Sequence, residues 1–445
     1  MASNNHASSD IENPQQVPLQ DSIAGELESL SCISSACSIY RVPERLRHVK
    51  ERAYTPKVVS IGPLHHGRKG LKAMEEQKKW YLRDFIRRSN PSLGSFIRVV
   101  KEKEERLRGC YAERIQFSSD EFVKIILVDA AFIIGVLLRL KFPNDLQDEN
   151  DCIFNRPWML QDVWPDMLLL ENQLPFFILE NLFEHGNVKV SSHGLSIYEL
   201  SHNFFKDLMH LEETEDKLKT IISSSKKVEH FVDFLRHLHL PDLQQQQKQK
   251  GKLQTLTTPS MMELHLAGVG FEVGSSRNLF DLQFNKAKGI LKIPKLIICD
   301  ETEVSVRNLL AFEQCYYREN YINDYVVIMD RLVNSQKDVD LLVEYGIFEN
   351  RLGDSSEGSF LINKLADGVI LDFTEFYFAT LCEDLNTYCR ASWHKWKANL
   401  RQNYFNTPWA IVSVIAGVIL LLLTLTQAVC ALISLPSPNS DGKQH

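Results

Sequence analysis

A mainly helical body carrying one membrane-spanning helix is the fold class this 445-residue sequence predicts. Three observations predict it. Apolar residues recur at helical spacing through most of the chain, behind Ser-X-X-Glu starts at Ser118–Glu121 and Ser260–Glu263. Strand-like stretches are few: Lys57–Ile61, and a hairpin-like region at 269–299 punctuated by Gly and Pro. The third is an uncharged stretch, Gln402–Ser440, that encloses the 27-residue apolar run Trp409–Leu435. The averages hide this asymmetry. With 44% hydrophobic residues, 24% charged residues and a net charge of −7, they exclude a polytopic membrane protein and a disordered chain. A mildly acidic balance also gives bulk electrostatics no hold on nucleic acid.

The elements follow in chain order. Residues 1–35 are rich in Ser, Asn and Gln, which predicts a disordered tail, and the body runs over 36–403. Lys57–Ile61, between Pro56 and Gly62-Pro63, predicts a short strand. Lys69–Arg88 and Ser92–Ala112 have helical spacing, with Asn90-Pro91 as the break. The nineteen residues Phe122–Leu140 are apolar enough to suggest a membrane, but Lys124, Asp129 and Arg139 are too costly in lipid. They predict a buried central helix in which Asp129 needs a partner. Trp158–Phe183 is a second apolar helical region interrupted by Pro165 and Pro175, and it places Glu171, Asn172 and Gln173 among apolar neighbours. Helices are expected at 197–209, 226–239, 304–317, 324–333 and 338–345, with a long final one from Thr374 to Asn403. The Gln/Lys-rich stretch within 241–258 predicts a flexible loop.

Residues 408–435 are long enough to cross a bilayer and are followed by a ten-residue tail, 436–445. Tyr404 and Trp409 fit the membrane interface. Arg390, Lys395, Lys397 and Arg401 precede the span with no acid between Ala391 and Thr407, so the positive-inside rule places the body in the cytosol. The chain has no signal-like start, no Asn-X-Ser/Thr sequon and nine irregularly spaced Cys, which agrees with a reduced compartment. Ser413 and Gly417 offer a small-residue pair for a helix homo-oligomer. The bilayer itself, the plasma membrane included, is the first partner implied.

Candidate chemistry is sparse. His65-His66-Gly67 follows the expected strand, and adjacent His side chains diverge too far for one metal ion, so a hydrogen-bonded turn is the simpler reading. The basic cluster Arg41, Arg45, Arg47, Lys50 and Arg52 reads as a solvated surface. No P-loop, nucleophile elbow, Cys-X-X-Cys or His-Glu-X-X-His pattern is present, so no cofactor is expected and no catalytic set assembles. Two function classes remain. One is a membrane-anchored interaction or recognition module. The other is a membrane-tethered enzyme acting on a lipid or hydrophobic metabolite, with His65, His66, Asp129 and Glu171 as first suspects.

Several strings carry a resemblance. They are Ile39–Arg47, Tyr54–Gly67, Met74–Lys78, Leu168–Phe177, Leu291–Leu296, Arg307–Leu309 with Ala311–Gln314, and Pro408-Trp409. Together they resemble the plant "domain of unknown function 247" family from about Cys37 to Leu435. The resemblance implies a single-pass plant membrane protein with no enzymatic activity attached, and in some grass members a role in self-incompatibility, hence recognition. This chain departs from the family at Asp129-Ala-Ala-Phe-Ile133. There the family carries Asp-Gly-Cys-Phe-Ile and then a Glu, near where this chain has Gly135.

Overall fold

The helix Ser119–Lys141 runs through the centre of the body, buried on almost every side from Phe122 to Arg139. A helix apolar all round must be enclosed. Helices Ala73–Arg88, Leu93–Lys101, Phe176–Gly186 and Ile197–Met209 enclose it. Ser118 accepts from the Glu121 N–H while the Glu121 carboxylate accepts from the Ser118 N–H, so the expected capping box starts this helix. At its other end Arg139 pairs with Asp84 at 2.7 Å and with Asp151 at 2.8 Å. The structure is a computed structural model that describes residues 16–28, 36–146, 148–188, 194–209, 211–224, 227–241, 250–255, 257–391 and 408–433.

The body is mainly helical with a few short strands, as the apolar spacing predicts. A connected core reaches from Ile39 to Leu385. In its second half, helices Asp300–Tyr316, Tyr321–Leu332, Gln336–Glu344 and Ser355–Ala366 pack together. The 269–299 region contains strands β1 (Gly270–Val273), β2 (Gln283–Asn285), β3 (Ile290–Ile293) and β4 (Leu296–Ile298). Only β2 and β3 form a hairpin. β1 joins β3 in parallel, with Phe271 opposite Leu291, and β4 pairs in parallel with a distant β5 (Phe348–Asn350).

Some elements differ from expectation. Lys57–Ile61 is not a strand: it bends at Lys57 and Val58, and its N–H groups go to side chains. Ser92–Ala112 divides into helices Leu93–Lys101 and Glu104–Gly109. Trp158–Phe183 contains helices Pro157–Asp166 and Phe176–Gly186, and the nine residues between them are not helical. Within 1–35, expected to be disordered, Gln16–Glu28 is a helix. Within the expected loop at 241–258, Gly251 bridges Phe376 and Leu253 is buried, while 242–249 and 256 lie outside the described residues. The last described helix of the body is Ala379–Arg390. Lys395, Lys397, Arg401 and Tyr404, and the tail 436–445, lie outside the described residues.

Pro408–Ile433 is a 26-residue helix without a charged residue. Its longest run of residues described with their side chains is Ile415–Val429. Counting described residues alone, no helix is long and apolar enough to cross a membrane.

Candidate functional site

The stretch Leu168–Pro175 turns back on itself between two helices, and the polar side chains in it point inward. Glu171, Asn172 and Gln173 are each at most 1% exposed. Buried polar atoms need partners, and these three find them far away in sequence. Asn172 accepts from the Ile61 N–H at 2.7 Å and donates to the carbonyls of Val59 at 3.0 Å and Asp166 at 2.9 Å. Gln173 donates to the Met167 and Leu169 carbonyls and accepts from the Phe231 N–H. Glu171 accepts from the Val42 N–H at 2.7 Å, pairs with Arg41 at 3.0 Å and also pairs with Arg47.

The opposite side of this clasp is the irregular segment Lys57–Gly62. A strand would satisfy its backbone with a neighbouring strand, but here side chains do so. The Asp166 carboxylate accepts from the N–H groups of Lys57, Val58 and Val59 at 2.7–2.9 Å. Asp129 takes the Gly62 N–H at 2.8 Å and Lys78 donates to the Ser60 carbonyl at 2.9 Å. Gly62 has φ +71, and a Cβ there would lie 2.7 Å from the Gln173 carbonyl oxygen, so glycine is required at this close approach.

Electrostatics follows from burial and partners. Burial pushes the Glu171 carboxyl up, but His65, the Val42 N–H, Arg47 and Arg41 together hold it at about 2. Such a group is ionised and engaged by Arg41, Val42 and Arg47, so it has no proton to give. For Asp166 burial outweighs its three N–H donors and lifts it to about 6. Burial alone would lower Lys78, and the Asp129 and Glu75 carboxylates outweigh it and hold the ammonium above its ordinary value.

The six candidate residues lie around one segment but do not form one cleft. His65 is buried with Nε2 3.3 Å from Glu171 Oε2, and burial lowers its pKa. His66 points the other way, edge-on to Phe117. It lines an open hollow of about 480 Å³ with Asp129, Lys72, Glu75 and Lys124, whereas Glu171, Asn172 and Gln173 are not part of that hollow. Arg390 is exposed at the end of its helix and Trp409 is 81% exposed.

Sequence reading missed Lys78, Asp166 and the inward use of the basic cluster. Arg41 and Arg47 hold Glu171, Lys50 pairs with Glu303, and Arg45 reaches Gln314. Lys78 was detectable: Met74, Lys78, Tyr81 and Phe85 share one helical face, all buried, so a charge stands in an apolar stripe. Gly135 also has a structural explanation. A Cβ there would lie 2.5 Å from the Tyr81 ring, so Tyr81 occupies the space that a side chain at this position would need.

Fold and site together define a mainly helical protein whose central polar residues bind its own backbone. The chain belongs to the DUF247 family, described as a plant protein of unknown function, which matches residues 39–423. It is similar to UPF0481 protein At3g47200 of Arabidopsis thaliana, 29% identical over 440 residues that cover 92% of this chain and 90% of that one. A second Arabidopsis thaliana UPF0481 protein, At3g02645, is 23% identical over 499 residues, covering 92% and 93% of the two chains. No solved structure matches the chain.

Proposed function

We propose that the chain is a membrane-anchored interaction module, with the helical body held at a bilayer by the helix Pro408–Ile433 and acting through protein contacts. The observation that carries this reading is the character of that helix. Its described large apolar residues, from Trp409 to Val429, are 47–81% exposed and face outward in all directions. A helix apolar all round is stable only when something apolar covers it. Both of its threonine hydroxyls are satisfied within the helix, as lipid requires: Thr424 donates to the Leu420 carbonyl at 2.6 Å and Thr426 to that of Leu422 at 3.0 Å. The interaction role is supported by the clasp, which uses Glu171, Asn172, Gln173 and Asp129 to hold backbone rather than presenting them to a substrate. The basic residues before the helix favour a cytosolic body.

The test is membrane fractionation of the full chain. It is expected to resist alkaline carbonate extraction, and Leu421→Arg with Leu422→Arg is expected to release it, since each Arg costs about 2.5–3.5 kcal/mol at a span centre. Extraction of the unaltered chain by carbonate would refute the anchor. Protease added to intact vesicles is expected to remove the body, and protection of the body would reverse the topology. Turnover of a lipid or metabolite by the purified chain would replace the interaction role with an enzymatic one.

A further inference from the structure

A cavity of about 840 Å³ lies in the second half of the body, between helices Glu215–Ser223, Asp300–Tyr316 and Tyr321–Leu332 and strand β4. It belongs neither to the clasp nor to the apolar helix at 408–433. Leu238, Val306, Leu309 and Met329 supply apolar wall. The volume falls in the range of small-molecule sites, roughly 300–1,000 Å³. A helix about 10 Å across would fill it in about two turns, which favours a small molecule over a peptide.

Two polar side chains in the wall, Tyr325 and His239, make no side-chain hydrogen bond among the described residues. Both residues are half-buried, so their polar groups stay open to the space they line. The Tyr325 ring is held against Phe280, itself 1% exposed, at a centroid distance of 5.6 Å, so its hydroxyl is pre-positioned. Burial and the neighbouring Lys217 hold His239 at about 4, so the imidazole is neutral at physiological pH and can donate from one nitrogen and accept at the other. Much of the charge in the wall is paired: Arg277 with Glu212 at 2.9 Å, and Lys295 and Arg351 with Glu349 at 2.6 Å each. With these cations engaged and Lys217 donating to the Leu238 carbonyl at 2.9 Å, the wall gives an anionic ligand little counter-charge.

We propose that this cavity binds an uncharged, largely apolar small molecule bearing a hydroxyl or carbonyl group, with Tyr325 and His239 as its hydrogen-bonding partners. The apolar wall takes the body of the ligand, and these two groups fix its polar end. The site needs nothing from the membrane reading, and its test is independent of it.

The test uses 4-(hydroxymethyl)benzophenone, an uncharged photoreactive probe with both groups, on the purified full chain, with adducts mapped by mass spectrometry. Saturable labelling is expected within Asp300–Tyr316 and Tyr321–Leu332. Tyr325→Phe, which keeps the ring and its packing, is expected to raise the half-saturating concentration about 3- to 10-fold, the worth of one hydrogen bond. Val306→Trp, which fills the cavity, is expected to abolish these adducts while leaving those elsewhere unchanged. Non-saturable labelling, adducts confined to Pro408–Ile433, or unchanged saturation in Tyr325→Phe would overturn the proposal. Where Val306→Trp lowers the melting temperature, the Tyr325→Phe result decides alone.

Discussion

Lys78 Nζ lies 2.6 Å from Asp129 Oδ1, and the two side chains are 0% and 1% exposed. The pair joins the central helix to its neighbour and, through the second Asp129 oxygen, to the Gly62 N–H. Deleting one member leaves the other charged and buried. Asp129→Ala is therefore expected to lower the unfolding free energy by about 3–5 kcal/mol in urea titration. The double replacement Lys78→Met with Asp129→Leu should cost less than the sum of its single changes, because it removes the desolvation penalty along with the attraction. Additive losses would refute direct coupling.

Asn172 tests the clasp in a different way. Asn172→Asp keeps an acceptor for the Ile61 N–H but exchanges two donated bonds for a charge facing the Val59 and Asp166 carbonyls. A loss of about 2 kcal/mol or more is expected, at least as large as for Asn172→Ala. A smaller loss for the Asp variant would show that the two donated bonds contribute little.

Two glycines separate conformational strain from steric clash. Gly62 and Gly67 both have positive φ, +71 and +83, but only at Gly62 would a Cβ meet anything, the Gln173 carbonyl oxygen at 2.7 Å. Gly67→Ala is expected to cost about 1 kcal/mol. Gly62→Ala adds a backbone clash and should cost about 3 kcal/mol or more. Equal shifts in melting temperature would mean that the clasp does not hold position 62 closely.

Asp324 gives a pH signature. It is 2% exposed and accepts from the Tyr377 N–H at 2.8 Å. Burial lifts its carboxyl from 3.8 to about 8 against the pull of that N–H, with Glu313 and Asp372 raising it further and Lys250 opposing. The folded chain therefore binds this proton more tightly than the unfolded chain. Stability from this group is complete below pH 4 and is lost as the pH rises from about 4 to 8. Asp324→Asn keeps an acceptor and removes the titration. Relative to the unaltered chain the variant should gain stability between pH 5 and 8, at up to about 1.4 kcal/mol per pH unit. Parallel urea midpoints across that range would refute the assignment.

Much of the helical body was legible because its signals are local. Ser118 with Glu121 and Ser260 with Glu263 announce helix starts within four residues, and the capping boxes form as expected. The apolar run around Asp129 was legible as a buried helix because its three charges count against lipid. The strand expected at Lys57–Ile61 failed for a complementary reason. An extended apolar run specifies extended backbone but not the partner of that backbone, and here the partners are the side chains of Asp166, Asn172 and Asp129.

The sequence by itself determined the helices, their caps and the uncharged apolar segment near the C-terminus, since spacing and composition act over a few turns. Only the tertiary structure decided that Glu171, Asn172 and Gln173 grip backbone from 58 to 129 residues away. It likewise decided that Tyr325 and His239 face one cavity with no side-chain hydrogen bond among the described residues. The physical reason is that a buried polar group is specified by what folding brings against it, and such contacts leave no periodic trace along the chain.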